Sequence, residues 1–433
     1  MGDEFSINSE WRSADLDDPA EAKTMAEVSV LVGNERLTRI ADPNTGETSE
    51  GARLPTIGLA EGLVRRWWQL LYEPQRTADR QPRQNFEHRH RLDAFTPGYV
   101  FPPIGIWSGG ETVMVGLFKA ESRFQNQQFV FPQDFKPQSL ARGELENGLT
   151  AFINLTADRL ITTNGRGAEL REDWDRIRDS LNDTDELEWC KNAGRLGLDP
   201  YDPDTIDLGS FSAGICSGLF ADICEAVDLS ELYQVCDWTR QATARFQSAQ
   251  PISLKDFGGA PYRDLSVPGW RNGHEAVELL RQRLRLPIDP KQALSRLFDD
   301  SATNWMPETL TGGAIEGVAR RESSEIRATV PARSLKQKRF RTCRATYLGW
   351  RASPSSEIAI TPAETWRQQA SRAFAAELLA PAKLIRGRFG KTGLNKVSVE
   401  RLSSEWLCPE QIIVHQAKNQ RIPVKGVEHA AVF

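Results

Sequence analysis

The spacing of apolar residues predicts short strands near the N-terminus and helices along much of the remaining chain. Valines alternate with polar residues from Val28 to Val32, and Gly33-Asn34 follows as a turn, which is typical of a strand meander. The segment 57–72 places leucines and tryptophans at helical spacing. Alternation returns on both sides of Gly109-Gly110, which predicts a hairpin.

The pattern becomes helical from Leu140 to Gln247, with Asp228 as the expected cap between two of these helices. The stretch 255–272 is rich in glycine and proline and predicts a linker. A strongly patterned helix is expected over 361–380, where Thr361 can cap the first turn.

These elements predict an α+β fold: an N-terminal β-meander with helices, a central helical region and a mainly helical C-terminal domain. A chain of 433 residues is long enough for two or three domains. The expected division is a flexible acidic tail (1–24), a β-rich domain (25–138), a helical region (139–254), a linker (255–272) and a C-terminal domain (273–425).

Composition excludes a wholly disordered chain, because 39% of the residues are hydrophobic. No apolar run approaches the length of a membrane span, and the acidic N-terminus does not resemble a signal peptide. We therefore expect a cytoplasmic protein without a membrane partner. The six cysteines form no Cys-x-x-Cys pair, which favours reduced thiols over a zinc ribbon or a disulfide framework.

The charge is unevenly distributed along the chain. The formal net charge is -5, yet residues 331–430 carry 18 Lys and Arg against 7 Asp and Glu. A basic C-terminal block on an acidic body has two interpretations. It forms a surface for nucleic acid or another polyanion, or it docks against the acidic N-terminal half or is an ordinary solvated surface.

The string RAFAAELLAPAKLIR at 372–386, followed by the segment 397–422, resembles the C-terminal part of the ImmA/IrrE family of metallopeptidase-like proteins. In that family a helix carrying His-Glu-x-x-His binds zinc, its Glu serves as general base, and a later Glu supplies the third ligand. The resemblance implies a zincin-like fold over roughly residues 273–422. It also implies a bacterial role in stress response or in phage or mobile-element control, where members act on repressor proteins.

The chain departs from the family at each position that the chemistry requires. The matching helix is 338–350, and no histidine occurs between His274 and His415. The two histidine positions, the general base and the third ligand correspond to Arg344, Leu348, Ala345 and Gln368 or Gln369. We therefore expect a pseudoenzyme with no catalytic residues, no zinc and no other cofactor. Arg344 either pairs with a carboxylate in the former cleft or has an ordinary structural role.

An alternative metal site lies in the N-terminal half, where Glu87, His88 and His90 cluster. Two histidines at i and i+2 on a strand point the same way and can chelate one ion. This site would make the protein a metal-dependent hydrolase. A half-exposed strand face explains the same pattern.

The tail 397–422 has the pattern of two short helices about a turn and resembles the helix-turn-helix-like end of the same family. That end either reads DNA or packs on the domain. The candidate residues for a nucleic-acid or protein-partner surface are Arg339, Arg341, Arg344, Lys418 and Arg421, and Gln416 is a further candidate on the second helix.

The combined prediction is a non-catalytic regulatory or interaction protein of bacterial or mobile-element origin. It would bind a protein partner such as a repressor or a defence component. The hydrolase and a DNA-binding regulator are the alternatives, and the sequence leaves the oligomeric state open.

Overall fold

The computed structural model describes residues 5–76, 83–119, 130–131, 135–162, 165–204, 206–298, 302–306 and 313–426. The chain divides into two compact units, Met1–Leu208 (unit 1) and Gly209–Phe433 (unit 2). About 50% of the structure is helical and 17% lies in strands of small sheets, so the predicted α+β class is confirmed. None of the helices in the described ranges is long and apolar enough to cross a bilayer.

Unit 1 contains nine strands and seven helices within its described residues. The strands are β1 (Phe5–Trp11), β2 (Met25–Val32), β3 (Glu35–Arg36), β4 (Ile40–Ala41), β5 (Thr48–Ser49), β6 (Ala52–Pro55), β7 (Ile104–Ser108), β8 (Thr112–Leu117) and β9 (Gln138–Ala141). The helices are α1 (Pro19–Thr24), α2 (Thr56–Arg65), α3 (Trp67–Tyr72), α4 (Arg83–His90), α5 (Arg142–Arg159), α6 (Arg166–Ser180) and α7 (Thr184–Arg195), and a 3-10 turn spans Leu92–Phe95.

Two antiparallel sheets organise unit 1. In the first, β2 pairs with β1, β3 and β6, and in the second β8 pairs with β7 and β9. The predicted meander and the hairpin about Gly109-Gly110 are therefore confirmed. Trp67 and Trp68 are both buried in the core, where Trp67 meets Trp174 edge to face at 5.0 Å between ring centroids.

Three features of unit 1 differ from the sequence expectation. The expected tail 1–24 contains β1, which pairs along its whole length with β2 and buries Phe5 and Ile7. The single helix expected over 57–72 is interrupted at Arg66, which has φ -109 and ψ 14. The expected helical region 139–254 spans the division between the two units, which falls after Leu208.

Unit 2 contains ten helices and seven strands within its described residues. The helices are α8 (Gly209–Ser212), α9 (Ser217–Ala226), α10 (Leu229–Thr243), α11 (Gly269–Leu284), α12 (Pro290–Leu297), α13 (Leu335–Arg351), α14 (Trp366–Leu379), α15 (Ala382–Phe389), α16 (Lys396–Trp406) and α17 (Glu410–Asn419), and a 3-10 turn spans Phe246–Ser248. The strands are β10 (Ile252–Ser253), β11 (Asn304–Met306), β12 (Gly317–Arg321), β13 (Glu325–Pro331), β14 (Glu357–Ile360), β15 (Leu394–Asn395) and β16 (Val424–Lys425).

The core of unit 2 lies between one sheet and two adjoining helices. The sheet has the order β10-β13-β12-β14, with β11 added parallel to β13, and α13 packs against it and against α14. Helix α11 crosses α14 closely, because a Cβ at Gly269 or Gly273 would overlap the backbone of Trp366 or Ala370. The predicted cap at Asp228 is confirmed as a capping box with Glu231.

Two features of unit 2 differ from the expectation. The stretch 255–272 is tied to the unit, since Phe257 is buried and the Trp350 indole donates to the Gly258 carbonyl at 3.2 Å. Helix α14 begins at Trp366 with Thr365 as its N-cap residue, five residues later than predicted. Thr361 instead continues from β14, and its carbonyl accepts a hydrogen bond from a buried arginine.

Candidate functional site

Helix α13 carries Arg344, Ala345 and Leu348, the residues that the sequence resemblance assigned to a lost zinc motif. Every residue from Phe340 to Trp350 is buried, because one side of the helix faces the sheet and the other faces α14. Arg344 lies in the middle of this helix with no measurable exposure. A charged side chain at such a position requires partners for its charge and for its N–H groups.

The guanidinium of Arg344 has four such partners. It forms an ion pair with the Glu316 carboxylate, which lies just before β12. Its Nε donates to Ser371 Oγ at 3.0 Å. Its Nη2 donates to the Thr361 carbonyl and to Gln368 Oε1, each at 2.7 Å. The cation is thus enclosed by groups from α14 and from one end of the antiparallel β12–β14 pair, where Glu316 and Thr361 lie next to each other.

Gln368 on α14 connects this cluster to the backbone. Its Oε1 also accepts from the Thr361 amide at 3.1 Å, and its Nε2 donates to the Ala359 carbonyl at 2.8 Å. Ser371 Oγ donates to the Gln368 carbonyl at 2.9 Å. Each polar group of the cluster is therefore satisfied by a defined partner, which keeps the buried charge in one geometry.

The structure brings two of the sequence-predicted positions into contact and leaves the others apart. Arg344 and Gln368 bond directly, whereas Gln369 donates to the Glu364 carbonyl on the more exposed side of α14. Ala345 and Leu348 are both buried in the apolar core. The set Arg344, Ala345, Leu348 and Gln368 does not fit zinc, since it contains no imidazole, thiolate or carboxylate.

Burial is the main influence on the pKa values of the two arginines in this cluster, Arg344 and Arg372. Burial lowers the pKa of Arg344, and the positive charge of Arg372 lowers it further. Burial also lowers the pKa of Arg372 to about 10, against an opposing effect of Glu364. The Glu316 carboxylate in contact with Arg344 opposes these effects, and an arginine with four acceptors keeps its proton.

Sequence reasoning missed Glu316, Ser371 and the Thr361 carbonyl as members of the cluster. Glu316 lies 28 residues before Arg344, and only the pairing of β12 with β14 brings it to α13. The available signal was Arg344 itself, because a cation on the core side of a helix requires a carboxylate from elsewhere in the fold.

The alternative metal cluster in unit 1 has a different geometry from the predicted strand. Residues Arg83–His90 form helix α4, so His88 and His90 at i and i+2 do not share a face. His88 is exposed, whereas His90 is fully buried and stacks on Phe86 at 4.1 Å between ring centroids. Glu87 is buried. The expectation that the two imidazoles face one ion is therefore corrected.

His90 is instead held in a buried charged pair. Its Nδ1 donates to the Ile106 carbonyl at 2.5 Å, and its Nε2 lies 3.1 Å from the carboxylate of Glu73. Burial would raise the pKa of Glu73, but the hydrogen bonds and charges of His90 and Arg89 lower it to about 2. An ionised Glu73 only accepts hydrogen bonds, so the Nε2 of His90 and the guanidinium of Arg89 are the groups that face its carboxylate oxygens.

The predicted partner surface is only partly exposed. Arg341 and Arg344 are buried, and Arg341 donates to the Pro331 carbonyl, so neither contributes to a surface. Arg339 is half-buried, while Lys418 and Arg421 are exposed near the end of α17. Gln416 is also buried and donates to Glu377 at 2.9 Å, which corrects its expected role in reading DNA.

Across the residues that the structure describes, no group of three or more His, Cys, Asp or Glu side chains is arranged to hold a metal ion. The geometry of unit 2 is that of a closed polar cluster in a helical core, and the geometry of unit 1 around His90 is that of a buried ion pair. The chain matches no protein-family model, no curated protein and no solved structure.

Proposed function

We propose that unit 2 is a degenerate ImmA/IrrE-like domain and that the protein is a non-catalytic regulatory or interaction protein of bacterial or mobile-element origin. Its partner is a protein such as a repressor or a defence component. The observation that carries the proposal is the direct bond between Arg344 and Gln368. The resemblance alone assigned Arg344 to one zinc-ligand position and Gln368 or Gln369 to another, and these positions belong to different helices.

The order of elements supports the same assignment. A strand pair, β12 and β13, precedes the motif helix α13, and β14 and α14 follow it. FAAELLAP lies on α14, and its Phe374 and Leu378 are buried against the core. Arg344 and Gln368, two of the positions that the resemblance assigns to zinc ligands, meet between α13 and α14, and this contact supports a site shared by two helices.

The proposal that this domain has lost the peptidase chemistry is supported by the residues between α13 and α14. Arg344 fills the space between the helices with a cation that repels a metal ion, and Ala345 supplies no base. Glu316 is the carboxylate in contact with Arg344, and their ion pair neutralises both charges. The domain therefore keeps its fold through a buried ion pair where a peptidase would hold its metal.

A protein partner is supported by exposed aromatic residues in unit 2. Tyr262, in the segment that leads into α11, is 84% exposed, and Trp270, in the first turn of α11, is 54% exposed. Tyrosine and tryptophan are enriched among residues that dominate protein–protein binding. Tyr233 on α10 is 70% exposed and provides a matched aromatic for comparison.

The assignment to the family can be tested by restoring the lost motif. The quadruple variant Arg344→His, Ala345→Glu, Leu348→His, Gln368→Glu should bind about one equivalent of zinc, because its side chains then form a His-Glu-x-x-His set with a facing carboxylate. A control with only Arg344→His and Gln368→Glu should bind zinc much more weakly. A folded quadruple variant that does not bind zinc would contradict the assignment.

The interaction role can be tested by affinity capture from the host with the wild-type chain. We expect one retained protein with repressor or defence character, lost with Trp270→Ala or Tyr262→Ala and kept with Tyr233→Ala. Equal retention by all three variants would contradict the proposed surface, and retention of no protein by the wild type would contradict the interaction role.

DNA binding is a second candidate, favoured by the exposed Lys418 and Arg421 near the end of α17. It predicts DNA affinity that falls steeply with salt concentration, and the Lys418→Gln variant should reduce that slope by about one. Binding that is insensitive to salt, or absent at low salt, would exclude this candidate.

A further inference from the structure

Unit 1 contains a cavity of about 300 Å³ beside helix α2. This volume is at the lower end of the range for small-molecule sites. Its walls come from α1, α2, α4, the segment after the 3-10 turn and the start of α6. The side chains around it divide into an ion-paired wall, a basic wall and an apolar wall.

The ion-paired wall is centred on Arg166 at the start of α6. Arg166 binds both carboxylate oxygens of Glu61, at 2.9 and 2.7 Å. It also donates to Asp18 at 2.7 Å and to Glu21 at 3.2 Å. One guanidinium thus engages three carboxylates, including Glu61, which lies one helical turn before Arg65 on α2.

The basic wall consists of Arg65, Arg66 and His88. Arg66 is half-buried at the break between α2 and α3, and within the described residues its guanidinium forms no hydrogen bond or ion pair. Burial lowers the pKa of Arg66, and the charges of Arg89 and Arg65 act in the same direction, against the opposing charges of Asp199 and Glu73. The guanidinium of an arginine can donate two parallel hydrogen bonds to a carboxylate or phosphate, and within the described residues Arg66 forms no such pair.

The apolar wall is formed by Pro55, Ala94, Phe95 and Pro97. Phe95 packs so closely on α2 that a Cβ at Gly62 would overlap its ring. The glycine therefore allows the ring to lie directly on the helix that carries Arg65 and Arg66. An anionic group and a compact apolar body can both be accommodated in one cavity of this size.

We propose that this cavity binds a small phosphomonoester, with its phosphate between Arg65 and Arg66 and its apolar body against Phe95. Within the described residues neither arginine forms a hydrogen bond or ion pair with a carboxylate, and two adjacent cations favour a dianion over a single carboxylate. Bidentate guanidinium–phosphate bonds supply the orientation, and the phenylalanine ring supplies the contact for the remainder of the ligand. The site lies wholly in unit 1 and does not depend on the function proposed for unit 2.

The test is isothermal titration of the full chain with phenyl phosphate, inorganic phosphate and benzoate. Phenyl phosphate should bind most tightly, because only it carries both the dianion and the apolar body. Raising the ionic strength from about 0.05 to about 0.5 M should weaken its binding. No saturable binding of phenyl phosphate, or benzoate binding as tightly as phenyl phosphate, would overturn the proposal.

Variants locate the binding in this cavity. Arg66→Gln should weaken phenyl phosphate binding by about ten- to a hundredfold, as expected for the loss of hydrogen bonds to a charged group. Arg65→Gln alters an exposed side chain, so the fold is retained, and it should weaken binding severalfold. Arg178→Gln is the matched control, since this exposed arginine on α6 lies outside the cavity lining. The affinity of this variant for phenyl phosphate should equal that of the wild type. Unchanged affinity in both Arg65→Gln and Arg66→Gln would overturn the proposal.

Discussion

The buried ion pair of Arg344 and Glu316 predicts that Glu316→Gln destabilises the wild type but stabilises the Arg344→Met variant. Arg344→Met removes the cation and leaves the Glu316 carboxylate buried without a counter-ion. Removing one partner of such a pair costs about 3–5 kcal/mol of unfolding free energy. The estimate suits this site because the Arg344 side chain is fully buried and that of Glu316 is 6% exposed.

Adding Glu316→Gln gives opposite results in the two backgrounds. In the wild type it leaves Arg344 uncompensated and should destabilise unit 2. In Arg344→Met it neutralises the stranded carboxylate and should recover about 1–2 kcal/mol. This reversal does not depend on the absolute cost of either single change.

Hydrogen exchange of the full chain, read on peptides from α13 and α14, measures the local opening free energies. Peptides from α5 and α6 in unit 1 serve as the internal reference and should not change. Urea unfolding provides an independent measurement of stability. If Glu316→Gln destabilises both backgrounds equally, the two residues are not energetically coupled and the reasoning is refuted.

Two further predictions concern helix packing and acid stability. Gly273→Ala should destabilise unit 2 by about 1–3 kcal/mol in urea unfolding, since its Cβ would overlap the Ala370 carbonyl on α14. Gly387→Ala in α15, where a Cβ has open space, should instead be neutral or stabilise by up to about 1 kcal/mol, and equal effects would contradict the close crossing. In unit 1, the pKa of Glu73 falls from 4.5 to about 2 on folding, so its contribution to stability is present above pH 4.5 and lost as the pH falls towards 2. The wild type should lose roughly 3 kcal/mol more than Glu73→Gln over that interval, and parallel acid-unfolding curves would contradict this.

The sequence pattern correctly predicted the elements that are stabilised by contacts between residues close together in the chain. Asp228 forms its capping box with a residue three positions away, and the hairpin about Gly109-Gly110 is closed by adjacent strands. Both kinds of contact join residues that are near each other in the sequence, so a local pattern is enough to predict them. The α+β class followed from them.

The failures concern segments whose structure is decided by distant partners. The polar run that contains His88 and His90 has no clear period, and it becomes helical with Phe86 and His90 at i and i+4 stacked on the buried side. Strand β1 is short and mostly polar, and pairing with β2 defines it. Helix α14 begins late because Thr361 is engaged by Arg344 and Gln368. The sequence around each of these segments does not show which distant residues it will contact.

The candidate site was predicted in part. The resemblance assigned Arg344 and either Gln368 or Gln369 to ligand positions, and the structure brings Gln368 into contact with Arg344. Pairing with a carboxylate was one of the two roles expected for Arg344. The identity of that carboxylate depends on strand register across 28 residues and could not be read from the sequence. The cavity cations Arg65 and Arg66 were missed because they belong to a helix whose pattern indicated only core packing.

The most direct test of the central claim is the metal content of the full chain, purified without a metal-affinity tag and measured by elemental analysis. If the Arg344–Glu316 ion pair occupies the place of the metal, we expect less than about 0.1 equivalent of zinc or other transition metal per chain. About one equivalent, retained through dialysis, would contradict the claim that unit 2 has replaced a metal centre with a buried ion pair.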